Sequence, residues 1–178
     1  MSKLISKGHI EPLWSKDEIV NLLYRREEFN DPVQLKKWHD IWHQPRSGYL
    51  YDMRHEEQPD ATYELVKLAM DHGLEHVGVS YYVMGPGDNL PYHSDTYKKY
   101  IELFNLTGRE KDIVRFIFFP FDWEPGHIFE IDGDPITQWK AGDWVAWRYD
   151  VPHMAANMGD TMRYTIQVTG VIRADLKP

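Results

Sequence analysis

The part of the sequence that most constrains the fold runs from residue 76 to residue 172, where short apolar stretches alternate with turn residues. Residues 76–84 alternate in character, as expected of a strand with one buried face, and the glycines, proline and acidic residue of 85–89 predict a turn. The buried face would carry Val77, Val79, Tyr81 and Val83. Further strands are predicted at 114–119, 127–131, 144–147 and 163–172. Many short strands at this spacing predict a mainly β fold, a barrel or two-sheet sandwich with helices packed outside it.

The first 75 residues carry helical signals instead. Ser15 and Glu18 form a predicted capping box before an apolar segment, and further helices are predicted at 33–42 and 59–72. We interpret residues 1–75 as a helical support for a β core over 76–172, all within one domain of 178 residues. Residues 97–112 interrupt the strands with a predicted helix and polar loop, placed where a lid would be useful.

Composition excludes several classes of site and partner. The chain has no cysteine, so disulfides, zinc thiolate sites and iron–sulfur clusters are excluded, and any metal must be held by His, Asp or Glu. A formal net charge of -8 makes nucleic acid an unfavourable partner. Because no apolar run suits a signal peptide or a membrane span, the chain is expected to be cytoplasmic and free of membrane.

Three residues form a candidate metal site. His93 and Asp95 are two apart, so in an extended segment both side chains point to the same side and can reach one ion. His153, on a predicted late strand, supplies a third ligand. Two His and one carboxylate make a facial triad, which leaves other positions on the metal open for a cosubstrate and for dioxygen.

Arg163 lies ten residues after His153 and begins the last predicted strand. Counted along strand and turn, its side chain can point into the same cavity as the metal. A guanidinium in this position would bind a carboxylate bidentately, which is what a 2-oxo acid offers at its far end.

The series His93-x-Asp95, His153 and Arg163 resembles the iron(II)- and 2-oxoglutarate-dependent dioxygenase superfamily. The resemblance covers roughly residues 76–172 and implies a double-stranded β-helix, also called a jelly-roll or cupin-like fold. A finer resemblance, to aspartyl/asparaginyl β-hydroxylase-type members, rests on Gly85, Gly87 and Leu90 before His93, with Arg115, Gly126 and Gly142 after it.

The resemblance also implies a cosubstrate site. It would comprise Arg163 with Arg115 and Tyr82, although a salt bridge from Arg115 to an acidic side chain is an equally open interpretation. The implied reaction consumes dioxygen, converts 2-oxoglutarate to succinate and carbon dioxide, and hydroxylates an amino acid, a peptidyl side chain or a small metabolite. Asp95 favours hydroxylation, because related halogenases carry a small residue in its place.

Two other functions stay open from the sequence. One is a cupin-type metalloenzyme that does not use 2-oxoglutarate, although such enzymes usually show His-x-His with a later Glu and His. The other is a non-catalytic binding module on the same barrel. A nucleic-acid demethylase of the superfamily is disfavoured, because Thr169 stands where those enzymes carry a second Arg on the last strand.

Position alone suggests which residues contact the substrate. The candidates in the N-terminal loop are Arg46, Tyr49, Tyr51 and Arg54, and those flanking His153 are Arg148 and Asn157. The substrate itself and the oligomeric state are left open.

Overall fold

A computed structural model describes residues 5–27, 29, 31–41 and 43–176. In this part of the chain, eleven strands and four α-helices alternate with short loops. The strands are β1 (Ile5–His9), β2 (Arg25–Arg26), β3 (Tyr49–Asp52), β4 (Leu74–Met84), β5 (Asn89–His93), β6 (Ile113–Phe118), β7 (His127–Ile131), β8 (Asp134–Ile136), β9 (Asp143–Arg148), β10 (His153–Asn157) and β11 (Arg163–Ile172). The helices are α1 (Lys16–Val20), α2 (Pro32–Asp40), α3 (Asp60–Asp71) and α4 (Lys98–Phe104).

Two antiparallel sheets form the body of the protein. The larger has the order β1-β9-β6-β11-β4-β3-β2, and the smaller has the order β5-β10-β7-β8. Strands distant in sequence are therefore neighbours, and the chain crosses repeatedly between the two sheets. This is a double-stranded β-helix with helices outside it, so the predicted fold class is confirmed. The strands predicted at 127–131 and 163–172 have the observed boundaries.

One face of β4 packs against a helix and the other lines a cavity. Val79 and Tyr81 are buried in an apolar cluster with Leu65 of α3, so the apolar stripe seen in the sequence packs outward, against the helix. The opposite face of β4 lines an internal cavity with Ser80, Tyr82 and Met84. The polar side of the alternation thus faces the interior, where a binding site is to be sought.

The N-terminal part differs from the predicted helical support. The capping box is present, with the backbone N–H of Glu18 donating to Ser15 Oγ at 3.1 Å, and α2 and α3 lie where helices were predicted. Trp42, the predicted end of the second helix, lies outside the described residues. Three strands also occur before residue 75, and they extend both edges of the larger sheet through the pairs β1–β9 and β3–β4. The short, polar β1 and β2 have no apolar alternation that would reveal them.

The segment 97–112 contains α4 and a 3-10 turn at Glu110–Asp112, which agrees with the predicted helix and loop. It packs on the barrel through a small buried cluster that includes Tyr97, Leu106 and Val171. A movement of this segment as a lid stays a prediction, as does the single-domain organisation. No helix in the described part of the chain is both long and apolar enough to cross a membrane.

Candidate metal centre and adjoining cavity

Strand register brings the two predicted histidine ligands together. His93 ends β5, His153 begins β10, and the two residues are directly paired across the strands, with ring centroids 4.5 Å apart. The Nδ1 atoms lie 2.8 Å from the carbonyl oxygen of Pro91 and 3.0 Å from that of Val151, respectively. Because a carbonyl oxygen only accepts, each Nδ1 carries the proton and each Nε2 keeps its lone pair. Both imidazoles are therefore oriented as metal ligands.

Asp95 completes the cluster. Its Oδ1 lies 3.9 Å from His93 Nε2 and its Oδ2 lies 3.6 Å from His153 Nε2. One candidate ligand atom from each of the three residues can be chosen so that all lie within 4.8 Å of one another. Two imidazole nitrogens and one carboxylate oxygen, with no thiolate, fit a divalent metal of the iron(II) or manganese type. The cluster agrees with the predicted facial triad.

Arg115 holds the carboxylate of this cluster. Its Nη1 donates to Asp95 Oδ2 at 2.6 Å, its Nε donates to Thr169 Oγ1 at 3.3 Å, and its guanidinium carbon lies 4.8 Å from the centre of the Tyr97 ring. Of the two interpretations left open by the sequence, the structure therefore contains the salt bridge, and its partner is a candidate metal ligand. Such a bond orients a ligating carboxylate.

Burial and charge set the protonation of the ligands. Burial lowers the pKa of His153 to about 4 and also lowers that of His93, so both rings are neutral at neutral pH. Burial alone would raise the pKa of Asp95, but its interactions, above all with the Arg115 guanidinium, outweigh burial, and the pKa lies below its usual value. Neutral imidazoles and an ionised carboxylate are the forms that bind a metal.

A cavity of about 820 Å³ opens beside the cluster, between the two sheets. The side chain of Arg163 lines it, and the residue is only 2% exposed. Its Nε and Nη2 have no hydrogen-bond partner among the described residues, and its Nη1 contacts only the sulfur of Met84, at 3.5 Å. The rings of Trp139 and Phe129 lie 5.7 and 6.0 Å from its guanidinium carbon. Burial lowers the pKa of Arg163 to about 10, so it is still charged at neutral pH.

Tyr82 lies in the same cavity, as the sequence predicts. Its hydroxyl donates to Glu27 Oε2 at 2.5 Å, and burial, with a further contribution from the charge of Glu27, raises the pKa of Tyr82 well above its usual value. The phenol is therefore a neutral donor. Its assignment to the cosubstrate site stays a prediction, while its contact with Glu27 is a feature that the sequence did not indicate.

The predicted substrate residues are not brought together. On β3, Leu50 and Asp52 line the cavity, so Tyr49 and Tyr51 face away from it, and Arg54 beyond the strand does line it. Arg46 is exposed, 3.8 Å from Asp88. The remaining two are Arg148, exposed beside a separate groove, and Asn157, buried with its amide nitrogen bonded to the backbone oxygens of Met84 and Thr161.

Sequence reasoning also missed cavity residues. Gln167 lies on the same face of β11 as Arg163 and lines the cavity, so counting by twos along that strand would have found it. Glu27 and Ser80 line the cavity as well. Glu27 precedes the fold's central strands and belongs to no motif, so nothing in the sequence pointed to it.

Comparisons with known proteins bear on the fold. No family model and no curated protein sequence matches the chain. A Pseudomonas putida prolyl-4-hydroxylase structure is similar to it at 15% identity, covering 89% of this chain and 97% of that one, with a TM-score of 0.50. A Bacteroides fragilis cupin protein is similar at 19% identity, covering 59% and 73%, with a TM-score of 0.39. A double-stranded β-helix protein from Klebsiella pneumoniae subsp. pneumoniae is similar at 15% identity, covering 55% and 70%, with a TM-score of 0.37. The finer resemblance to aspartyl/asparaginyl β-hydroxylases receives no support from these matches.

Proposed function

We propose that this protein is an iron(II)- and 2-oxoglutarate-dependent oxygenase that hydroxylates an amino acid, a peptidyl side chain or a small metabolite. Three features support the proposal: the His93, Asp95 and His153 cluster, the adjoining cavity, and a buried cation in that cavity. The observation that carries it is the guanidinium of Arg163, which is buried without a hydrogen-bonding oxygen among the described residues.

A buried charge without a partner is costly, and folded proteins rarely keep one. Arg163 lacks such a partner within the described chain, so an anionic ligand would supply it. The planar fork of its N–H donors matches a carboxylate, and Nε and Nη2 are the two nitrogens left without partners. A ligand with carboxylates at both ends would reach the metal cluster with one and Arg163 with the other, and 2-oxoglutarate is such a molecule.

Each group of the chain then has a defined role. His93, Asp95 and His153 would hold iron(II), which when bound couples the oxidative decarboxylation of 2-oxoglutarate to the activation of dioxygen. Arg115 keeps the Asp95 carboxylate in place, and Arg163 binds and orients the cosubstrate. Apolar cavity residues, including Ile117, Phe129 and Trp147, exclude water from the reacting groups.

The proposal is tested by anaerobic titration with iron(II) and then 2-oxoglutarate, followed by assay for succinate in air. We expect a weak visible charge-transfer band and slow formation of succinate in the absence of any substrate. Arg163→Ala should lose both at the 2-oxoglutarate concentration that saturates the wild type. Arg148→Ala is the matched control, because that arginine is exposed and lies outside the cavity.

The outcomes separate the alternatives. Folded wild-type protein that binds metal but gives neither band nor succinate would overturn the proposal and favour a cupin-type metalloenzyme that does not use 2-oxoglutarate. If 2-oxoglutarate binds equally to wild type and Arg163→Ala, without succinate, a non-catalytic binding module is favoured instead.

A further inference from the structure

Glu27 is fixed over the cavity by the N-terminal part of the chain. The short pair of β2 with β3 places Arg26 opposite Tyr49, and the backbone N–H of Glu27 donates to the carbonyl oxygen of Gly48 at 3.1 Å. Its side chain then lines the cavity. A carboxylate therefore reaches the interior of the barrel from the edge of the larger sheet, directly after β2.

Only one oxygen of the Glu27 carboxylate accepts a hydrogen bond from a described residue. Among the described residues, one donor reaches it, the hydroxyl of Tyr82, which bonds to Oε2 at 2.5 Å. The charge of Glu27 contributes to the raised pKa of two arginines, but both pair with other carboxylates: Arg115 donates to Asp95 at 2.6 Å, and Arg54 donates through Nε to Asp52 at 2.7 Å. Within the described part of the chain no donor bonds to Oε1 and no ion pair includes Glu27, which lines a cavity large enough for a small molecule.

Glu27 belongs to the metal end of the cavity. Its negative charge, with that of Asp95, contributes to the raised pKa of Arg115, whereas the pKa of Arg163 responds to burial alone. Glu27 and Arg163 also enter the cavity from different places in the larger sheet, Glu27 directly after the edge strand β2 and Arg163 from the central strand β11. An anion bound at Arg163 would leave the Glu27 carboxylate free to select a second molecule beside the metal.

We infer that Glu27 binds a cationic nitrogen of the substrate, an ammonium or guanidinium group, while the Tyr82 hydroxyl holds the carboxylate in position. This inference rests on the proposed function and narrows its substrate class to amino acids or side chains with a basic group. A charge-assisted bond from a cation to a carboxylate is about twice as strong as a neutral one, so it gives the site a preference that shape alone would not.

The test uses probes matched in size and differing in charge: L-lysine against L-norleucine, and L-arginine against L-citrulline, each free and as the N-acetyl amide. Binding is measured by calorimetry on anaerobic protein loaded with manganese(II) and 2-oxoglutarate, and stimulation of succinate formation is measured in air. The wild type should bind at least one cationic probe about tenfold or more tightly than its neutral partner, a difference of about 1.4 kcal/mol.

Glu27→Gln, which keeps the size of the side chain, should abolish this preference. Glu56→Gln, an exposed glutamate outside the cavity, is the matched control and should keep it. Tyr82→Phe should weaken the preference less than Glu27→Gln does. If Tyr82→Phe instead weakens the binding of 2-oxoglutarate and leaves the preference for cationic probes intact, Tyr82 belongs to the cosubstrate site and its part in the inference is wrong.

The inference is overturned if neutral probes bind as tightly as cationic ones, if the preference survives in Glu27→Gln, or if the wild type binds no cationic probe at millimolar concentration. Substrate-free succinate formation reports the proposed function separately. A protein that makes succinate and shows no preference for charge keeps the proposed function and loses this inference.

Discussion

The two buried arginines of the cavity form an instructive contrast. Arg115, at the metal end, bonds to Asp95 and Thr169, and nearby acidic groups raise its pKa despite burial. Arg163, at the other end, has no hydrogen-bonding oxygen among the described residues, and burial lowers its pKa to about 10. The first cation is balanced by the protein itself, so it is part of the folded structure. The second would be balanced by a bound anion, which is why we propose it as part of the cosubstrate site.

The largest effect is expected from Arg163→Met, which replaces the cation by an apolar side chain of similar length. Affinity for 2-oxoglutarate should fall by about 4 kcal/mol, because a buried charge-assisted pair is lost. The ligand-free protein should become more stable by about 1–3 kcal/mol, because an unpaired buried charge is removed. Urea unfolding with and without 2-oxoglutarate measures both effects.

If Arg163 is an unpaired buried cation, its replacement should weaken 2-oxoglutarate binding and at the same time raise the free energy of unfolding of the ligand-free protein. If Arg163→Met instead destabilised the ligand-free protein, Arg163 would have a structural partner and the contrast with Arg115 would disappear. Arg148→Met, at an exposed position, controls for the introduction of methionine and should change neither quantity by more than about 0.5 kcal/mol.

The balance at the metal end depends on pH. Without metal, His153 has a pKa of about 4 in the folded protein, against 6.5 as its ordinary value. The unfolded chain therefore binds more protons between these values, and the stability of the metal-free protein should fall as pH falls from about 6.5 to about 4. At about 1.4 kcal/mol for each pH unit, His153 would contribute roughly 3 kcal/mol to this loss.

Urea unfolding at several pH values, in the presence of a chelator, measures this effect. The variant His153→Asn cannot titrate in this range, so its stability should depend less on pH by about the same amount. The pKa of His93 is also lowered by burial, so the stability of the variant will still depend to some extent on pH. Parallel pH profiles for wild type and variant would show that His153 is not buried as a neutral ring.

A smaller effect is expected when Arg115 is replaced, and it tests whether this residue supports metal binding or cosubstrate binding. In Arg115→Gln, Asp95 loses its charged donor, and we expect manganese(II) or cobalt(II) to bind about 10- to 100-fold more weakly. Affinity for 2-oxoglutarate, measured at saturating metal, should change much less. The reverse result, with weaker cosubstrate and unchanged metal affinity, would support the cosubstrate role that the family resemblance implies.

The candidate metal ligands could be anticipated because their signal is local. His93 and Asp95 lie on one side of an extended segment whatever the rest of the fold does, and Arg163 begins a strand whose boundaries the sequence gives well. The direct pairing of His153 with His93 is different. It depends on the register of β10 against β5, which are separated by some sixty residues, and register is set by the packing of the whole barrel.

Which residues near the site line the cavity could not be anticipated for the same reason. Tyr49 and Leu50 are adjacent, yet only Leu50 faces the cavity, and a change of register by one residue would exchange them. Asn157 is polar and close to His153 in sequence, but its amide nitrogen is used by the backbone of Met84 and Thr161. Glu27 reaches the cavity through a two-residue strand, β2, that carries no sequence signal.

The pairing of His93 with His153 has a mechanical consequence. β5 is the outermost strand of the smaller sheet, and in the described part of the chain its outer edge is held by a single backbone bridge, between Asn89 and Arg46, and by side-chain bonds to the carbonyl oxygen of Tyr92. An ion bound by both histidines would cross-link β5 to β10. Metal loading should therefore slow amide hydrogen exchange in β5 more than in β4, because β5 is an edge strand that the ion would tie to β10, whereas β4 is paired with a strand on each side.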